Sequence, residues 1–486
     1  MFGASKEIRH RLQKLENHLQ DESPLLVDAV KGFKELDRIA YRLGLLDCDH
    51  SYTTQIPWWP LVSVLGTYSA GKSTFLNSYI DYSLQDTGNQ AVDDKFTVIS
   101  YSNGSESRTL PGIALDADPR FPFYQMADEL EKVAPGDGAR VNAYLQLKTC
   151  PSEKARGYIF IDSPGFDADA QRTSTLKITD YIIDLSDLVL VFFDARHPES
   201  GTMQDTLEHL VASTISRKDA NKFVYVLNQM DSTAREDNPE DVVAAWQKAL
   251  SQEGLTAGKF YTIYDKSAAN TIDDSNVAER LENKCQGDMA EIVDRIQQVH
   301  VDRIYRILGN LDKMARDIEQ RTVPKLRDLV RSWGRGTLWR DAIAFGLVAV
   351  GIFGVLLAGG LFQGEWEHSS WLKASIEKMN DNVWYPITGG FVLFIILFAI
   401  HHGMRILSLR SVVRDLDDDI DTENKDDLKR ALIKNTRFLH SIFRPDVVGW
   451  HRFTRNRLHT LLEKADEAIQ KLNDKYTRPS GQAVNE

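Results

Sequence analysis

Cysteine is scarce in this chain. Cys48, Cys150 and Cys285 are the only three in 486 residues, and they stand far apart without metal-ligand spacing. An odd, scattered set excludes a disulfide framework and a zinc site, and it fits a reducing compartment. Positive charge is in deficit as well, with 58 Lys and Arg against 70 Asp and Glu, a net charge of −12. That sign makes nucleic acid a poor partner for the molecule as a whole. Met1-Phe2-Gly3-Ala4-Ser5-Lys6 lacks the apolar core of a secretory signal. The remaining composition is that of a folded protein, 42% apolar and 26% charged. The length allows roughly two to four domains.

Against these absences one stretch stands out. Gly66-Thr67-Tyr68-Ser69-Ala70-Gly71-Lys72-Ser73-Thr74 matches the phosphate-binding pattern G-x-x-x-x-G-K-[ST]. Leu61-Val62-Ser63-Val64-Leu65 before it reads as a buried strand, and Phe75-Leu76-Asn77-Ser78-Tyr79-Ile80 after it reads as a helix. Glycines let backbone N–H groups curl around a phosphate, and a helix start adds free donors and a positive dipole end. Lys72 is placed to reach the β- and γ-phosphates, and Ser73 to ligate Mg²⁺. Without that flanking context, the same pattern would be no more than a glycine turn in an unrelated α/β domain.

Residues 57–270 alternate strand-like and helix-like stretches, which predicts an α/β P-loop domain with a mainly parallel sheet. Tyr158-Ile159-Phe160-Ile161 leads into Asp162-Ser163-Pro164-Gly165. Asp162 suits a Mg²⁺-bound water, and the Gly165 N–H suits a γ-phosphate sensor. Leu188-Val189-Leu190-Val191-Phe192-Phe193 reads as a further buried strand. Phe223-Val224-Tyr225-Val226-Leu227 then leads into Asn228-Gln229-Met230-Asp231. This resembles the guanine-reading N-K-x-D element, with Gln229 in place of the lysine. Each short motif occurs often by chance; their order, each behind a strand, is the stronger signal.

The rest of the chain reads as helical. Residues 1–56 show helical spacing in Ile8, Leu12, Leu15 and Leu19 and again in Leu26, Val30, Phe33 and Leu36, with Pro24 at the start of the second helix. Residues 271–340 read as a coiled-coil-like bundle or stalk, one or two long amphipathic helices that Pro324 kinks or breaks. A plain helical cap would look the same. Residues 341–403 read as a membrane hairpin. The stretch from Ala342 to Phe362 carries no charge and spans about 30 Å, one bilayer core. Val383 to Ile400 is a second such run, with Trp384 and Tyr385 as interfacial anchors. Ala342/Gly346 and Gly354/Ala358 have a spacing that would let helices approach closely. Lys and Arg flank both outer ends of the hairpin, whereas the loop between is acidic. Both termini are therefore expected in the cytoplasm, with only the short loop outside. The acidic run Asp415–Asp421 lacks the glycine of a calcium loop and reads as a solvated helix face or linker. His401-His402 reads as interfacial rather than metal-binding. Residues 404–476 read as helices returning to the bundle, and 477–486 as a disordered tail.

The nucleotide domain resembles the dynamin superfamily, and within it the EH-domain-containing ATPases. The likeness covers roughly residues 57–265. It is carried by the loop Gly66–Phe75 with Tyr68 and Ser69 inside it, by Pro111-Gly112-Ile113-Ala114-Leu115-Asp116-Ala117-Asp118-Pro119-Arg120-Phe121-Pro122-Phe123, and by Phe193-Asp194-Ala195. No EH domain is present, and the hairpin is more similar to mitofusin- and atlastin-type fusion proteins. The sequence departs from the family in two places. Gln90-Ala91-Val92-Asp93-Asp94-Lys95-Phe96-Thr97 occupies the switch I region, where members carry a threonine on Mg²⁺ that orients the attacking water. Thr97 falls a few residues late. Tyr68 replaces the glutamine that dynamins proper use near that water.

The resemblance implies a membrane-anchored NTPase that dimerises across its nucleotide face, forms higher oligomers, swings its helical bundle on hydrolysis and tethers, bends or fuses a lipid bilayer. Its implied parts are Lys72 on phosphates, Ser73, Asp162 and Thr97 on Mg²⁺, Gly165 on the γ-phosphate and Ser69 over developing charge. Gly66, Tyr68, Ala70, Gly71 and Thr74 complete the cradle, with Asn228, Gln229 and Asp231 at the base. Asn228 and Asp231 favour GTP, whereas the EH-domain likeness favours ATP. A membrane-bound switch that recruits partners without remodelling would use the same elements. The absence of targeting signals points to a bacterial inner membrane.

Overall fold

The computed structural model describes residues 3–20, 24–86, 95–123, 141–165, 172–196, 219–233, 239–255, 258–265, 272, 275–358, 384–419, 425–437, 440–443 and 446–476. Residues 90–94 of the switch I region, the 359–383 connection of the hairpin and the 477–486 tail lie outside them. By contacts the chain divides into two compact units, one of 9–30 and 52–309 and one of 1–8, 31–51 and 310–486. The divisions fall inside helices α1 (Lys6–Gln20) and α2 (Pro24–Leu43).

The first unit is built on an eight-stranded sheet. Its strands in chain order are β1 (Leu61–Gly66), β2 (Phe96–Tyr101), β3 (Arg108–Pro111), β4 (Leu145–Cys150), β5 (Ile159–Asp162), β6 (Leu188–Asp194), β7 (Phe223–Asn228) and β8 (Lys259–Thr262). In space they run β3-β4-β2-β5-β1-β6-β7-β8. Only β2/β5 and β3/β4 pair antiparallel, so the sheet is mainly parallel, as its alternating pattern predicts.

The apolar runs become strands because both faces of a parallel sheet are covered. Along β6 the side chains divide by parity. Leu188, Leu190 and Phe192 join one layer, with Phe75, Leu76 and Ile80 of helix α3 (Lys72–Ile80). Val189, Val191 and Phe193 join the other, with Ile183 of α4 (Arg172–Leu185) and Trp246 and Leu250 of α5 (Pro239–Gln252). Helix α6 (Ser275–Asp317) contributes to both layers, Leu281 and Cys285 to the second and Ile292, Ile296 and Val299 to the first. A buried ionic knot closes its first-unit part. Arg303 and Arg306 meet Asp187 at 2.9 and 3.0 Å, and the other oxygen of Asp187 accepts the Leu61 N–H at 3.0 Å. Burial pulls the Arg303 guanidinium below its usual pKa, with Asp187 opposing that pull.

The second unit is helical. The end of α6 runs through a π-turn at Ile318–Thr322 into α7 (Val323–Ala358). Pro324 therefore does not break the run, which is the half of the expectation that the backbone overturns. Proline cannot donate to the carbonyl four residues back and its ring would crowd it. The π-turn, closed by the Val323 N–H on the Ile318 carbonyl, accommodates that defect and the helix continues. Its buried stripe runs through Leu311, Ala315, Ile318, Val323, Leu326, Val330 and Trp333, three or four residues apart except for one gap of five at the π-turn.

Helix α8 (Trp384–Asp418) packs along α7, followed by α9 (Lys425–Asn435) and α10 (Arg452–Tyr476). Trp333 donates its indole N–H to the Arg405 carbonyl at 3.2 Å, and Ser408 donates to the Trp333 carbonyl at 2.9 Å. Arg405 itself donates to the carbonyls of Thr436, Arg437 and His440, the orphan acceptors beyond the end of α9. Asp341 and His401, at the ends of the two apolar runs away from the 359–383 connection, meet at 2.7 Å. The acidic run is partly paired, Asp417 with Lys429 and Asp419 with Lys325.

Gly346 and Gly354 have no side-chain or backbone neighbour within 4 Å of where a Cβ would sit. The small-residue spacing of the first apolar run therefore brings no helix close among the described residues. The close approach lies lower, at Gly336 against Ser408.

Candidate functional site

The carboxyl ends of the parallel strands β1, β5, β6 and β7 share one edge of the sheet, and the candidate residues gather there. β1 ends at Gly66, and α3 starts at Lys72 with Gly71 as its cap at φ 82°. A left-handed cap favours glycine, and space demands it too, because a Cβ on Gly71 would fall 2.2 Å from the Asn228 amide nitrogen. That nitrogen donates to the Ala70 carbonyl at 2.9 Å. Gln229 donates its own side-chain amide to the Ser69 carbonyl. Asn228 and Gln229 thus brace the phosphate loop from the end of β7. Ser69 and Gln229 both adopt left-handed backbone, φ 57° and 65°, at a cost on the order of 1–3 kcal/mol each. The amide braces offset that strain and hold the loop in one shape.

Lys72 is buried and folds back on its own loop. Its ammonium donates to the Gly66 and Thr67 carbonyls at 3.2 and 2.9 Å. Burial pulls its pKa down to about 8, and the charge of Asp162 opposes that fall. A bound phosphate would supply the missing counter-charge.

Ser73 donates its hydroxyl to Asp162 Oδ2 at 2.7 Å. A hydroxyl and a carboxylate oxygen in contact, at the start of a helix and the end of a strand, are the hard donors that Mg²⁺ takes, so the residues present fit that ion. The same Asp162 oxygen accepts from the Gln85 amide at 2.8 Å, and Gln85 Oε1 accepts from the Lys148 ammonium at 2.6 Å. Gln85 and Lys148 are both buried. Neither belongs to a motif and nothing in the local pattern marks them, because only the fold brings the loop after α3, β4 and β5 together.

Thr97 is buried in β2, directly across the antiparallel ladder from Asp162, and its hydroxyl accepts from the Gln146 amide at 2.8 Å. It is a strand residue on the same sheet face as Asp162, not part of a loop. Gly165 lies against Tyr68. A Cβ there would fall 2.7 Å from the Tyr68 Cα, so the turn after β5 touches the phosphate loop. Thr74 occupies the first turn of α3. Asp231 is buried in the short helical turn Met230–Thr233. Arg196 grips Asp194 at 2.6 Å beyond β6, and that contact, with Asp231 adding a smaller share, raises the guanidinium's pKa.

Comparison with known proteins bears on the segment that holds these residues. Residues 62–230 match the model of the dynamin family. EH domain-containing protein 1 of Arabidopsis thaliana is 25% identical over 179 residues, covering 35% of this chain and 30% of that protein. The human protein of the same name is 27% identical over 182 residues, covering 35% and 31%. The chain therefore spans about a third of the length of these relatives. A solved structure of an oligomerised bacterial dynamin pair, described as a mechanism for long-range sensing and tethering of membranes, aligns with 97% of this chain and 76% of its own, at 14% identity and a TM-score of 0.32. The expectation of a dynamin-superfamily nucleotide domain holds for the matched segment.

Proposed function

We propose that this chain, with a dynamin-type nucleotide domain and two unburied apolar helices, is a membrane-anchored GTPase that couples hydrolysis to tethering, remodelling or fusion of a bilayer. The observation that carries the reading is the state of those helices. The most apolar stretches of α7 and α8 are only 6% and 11% buried, where a core helix of a water-soluble protein would be mostly covered. Lys and Arg outside both ends favour two spans with cytoplasmic termini, and a bacterial inner membrane fits that placement.

Within the nucleotide site the roles follow from reach and charge. Lys72 leaves the Gly66 and Thr67 carbonyls for the β- and γ-phosphates. Ser73 and Asp162, held by Gln85, take Mg²⁺, which when bound neutralises developing charge on the phosphates. Ser69, Ala70 and Gly71 present backbone to the phosphates, and Gly165 senses the terminal one. Ser69 also stands over the charge that develops at the leaving oxygen. Thr97 remains the candidate beside Asp162 for orienting water. Asp231 accepts two N–H groups of guanine, which favours GTP over ATP. A second copy across the nucleotide face would complete the site.

Lys72→Ala is expected to abolish nucleotide binding by calorimetry while the protein stays integral to vesicles; unchanged binding overturns the site. Chromatography of the co-purifying nucleotide decides between GTP and ATP. Vesicles carrying the protein should cluster, tubulate or mix on adding GTP. If they do none of these but capture a partner protein, the chain is a recruiting switch.

A further inference from the structure

In the second unit, exposed apolar side chains extend along α7 to Leu338 and Trp339 and along α8 to Ile406 and Leu407. Where they end, the two helices leave a groove of about 550 Å³. Ser332, Arg335, Arg340, Ser411 and Asp415 line it, with Trp339 at its rim. Gly336 sets its floor. A Cβ there would meet Ser408 Oγ at 2.7 Å and Arg340 Nη1 at 2.9 Å, so the Arg340 guanidinium lies folded over the helix crossing. Among the described residues, neither Arg335 nor Arg340 makes a side-chain hydrogen bond or ion pair. Their neighbours do: Lys325 pairs with Asp419, Arg331 with Asp328, and Arg405 spends its donors on three carbonyls.

We propose that this groove binds the phosphodiester of an anionic phospholipid in the cytoplasmic leaflet, with phosphatidylglycerol as the headgroup that fits. The inference rests on reading α7 and α8 as membrane spans. On that reading the groove sits at headgroup depth, under an interfacial tryptophan, where basic pockets between spans take lipid phosphates. Two guanidinium forks match phosphate oxygens in geometry and charge, and serine hydroxyls add donors. Asp415 supplies an acceptor for the glycerol hydroxyls. Two cations and one carboxylate suit a monoanion better than a phosphomonoester dianion.

The test uses the full chain in nanodiscs of phosphatidylcholine with a minority of phosphatidylglycerol, and native mass spectrometry of the lipid it retains. Wild-type protein should enrich phosphatidylglycerol over the bulk ratio by about fivefold per arginine. Arg335→Ala with Arg340→Ala should fall to the bulk ratio with nucleotide affinity unchanged. Arg335→Lys with Arg340→Lys keeps the charge that orients the spans and loses the fork, and should retain an intermediate enrichment. Soluble glycerol phosphate should not displace the lipid; if it does, the groove is a soluble-phosphate site and the lipid assignment is wrong. Release by alkaline carbonate overturns the membrane reading and the groove together. An integral protein without enrichment, or a double alanine variant as enriched as wild type, overturns the groove alone.

Discussion

Phe160, Phe192, Phe193 and Trp246 are wholly buried in the nucleotide unit, whereas Leu347, Val350 and Phe391 on α7 and α8 are 68%, 69% and 64% exposed. Both units bury charge, Asp187 and Arg303 in the first and Asp341 and Arg405 in the second. Beside that exposed apolar belt, Asp341, Arg405 and Ser408 turn inward and are buried. Both units answer to one rule, that polar groups removed from water must be paired: Arg303 meets Asp187 in the first, and Asp341 meets His401 in the second. They differ in what surrounds them. The first surrounds its buried polar groups with covered apolar layers; the second sets them beside an exposed apolar belt on α7 and α8, which on the proposed reading faces lipid. Read unit by unit, the burial pattern differs: large apolar side chains are covered in the first unit and bare along α7 and α8 in the second.

The contrast can be broken most forcefully at its buried charges. Asp187→Ala leaves Arg303 buried without its counter-ion, and should cost about 3–5 kcal/mol in a denaturant titration of the full chain in detergent. A loss below about 1 kcal/mol would mean the knot is wet and the first unit less dry than it looks. Next comes the outer surface. Leu347→Arg should weaken insertion by about 3 kcal/mol, seen as a loss of alkali-resistant protein, since an arginine at the centre of a span is expelled. Ile113→Arg, at a 62% exposed position of the nucleotide unit, should change stability by less than about 0.5 kcal/mol. Equal effects from the two would dissolve the comparison.

A pH series sharpens the site. Lys72 in the free protein has its pKa lowered to about 8 by burial, whereas a phosphate partner raises it. Below that pH the lysine is charged before nucleotide arrives and affinity is flat. Above it, binding must take up a proton, so the Kd should rise about tenfold per pH unit. Affinity that stays flat to pH 9.5 would show that Lys72 is charged in its loop.

Much of this was legible in the residues. Short, almost wholly apolar runs such as Leu61–Leu65, with Ser63 inside it, and Leu188–Phe193 are strands because a sheet covered on both faces hides every side chain along them. The phosphate loop, Asp162 and Asn228 follow from spacing behind those strands. The exposed edge strand Arg108–Pro111 carries no such signal, as its pairing with β4 alone makes it a strand. Gln85 and Lys148 were illegible for the same reason: their chemistry is a tertiary juxtaposition. Pro324 marks a lost hydrogen bond but not how the helix absorbs the loss, so the choice between a break and a continuous helix was not legible there. The glycines of the first apolar run permit a close approach without compelling one, and at Gly346 and Gly354 none is seen among the described residues.

The π-turn before Pro324 also fixes a count. One residue more than an α-helix needs lies between Ile318 and Val323, and each residue rotates a helix by about 100°. That single surplus residue keeps Leu311 and Trp333 on one seam. The odd step acts as a phase corrector, so chain length across this short interval is information. Substitutions there trade one contact for another, but losing or gaining one residue would turn everything beyond it, Arg335, Arg340 and the whole first apolar run, to face a different direction.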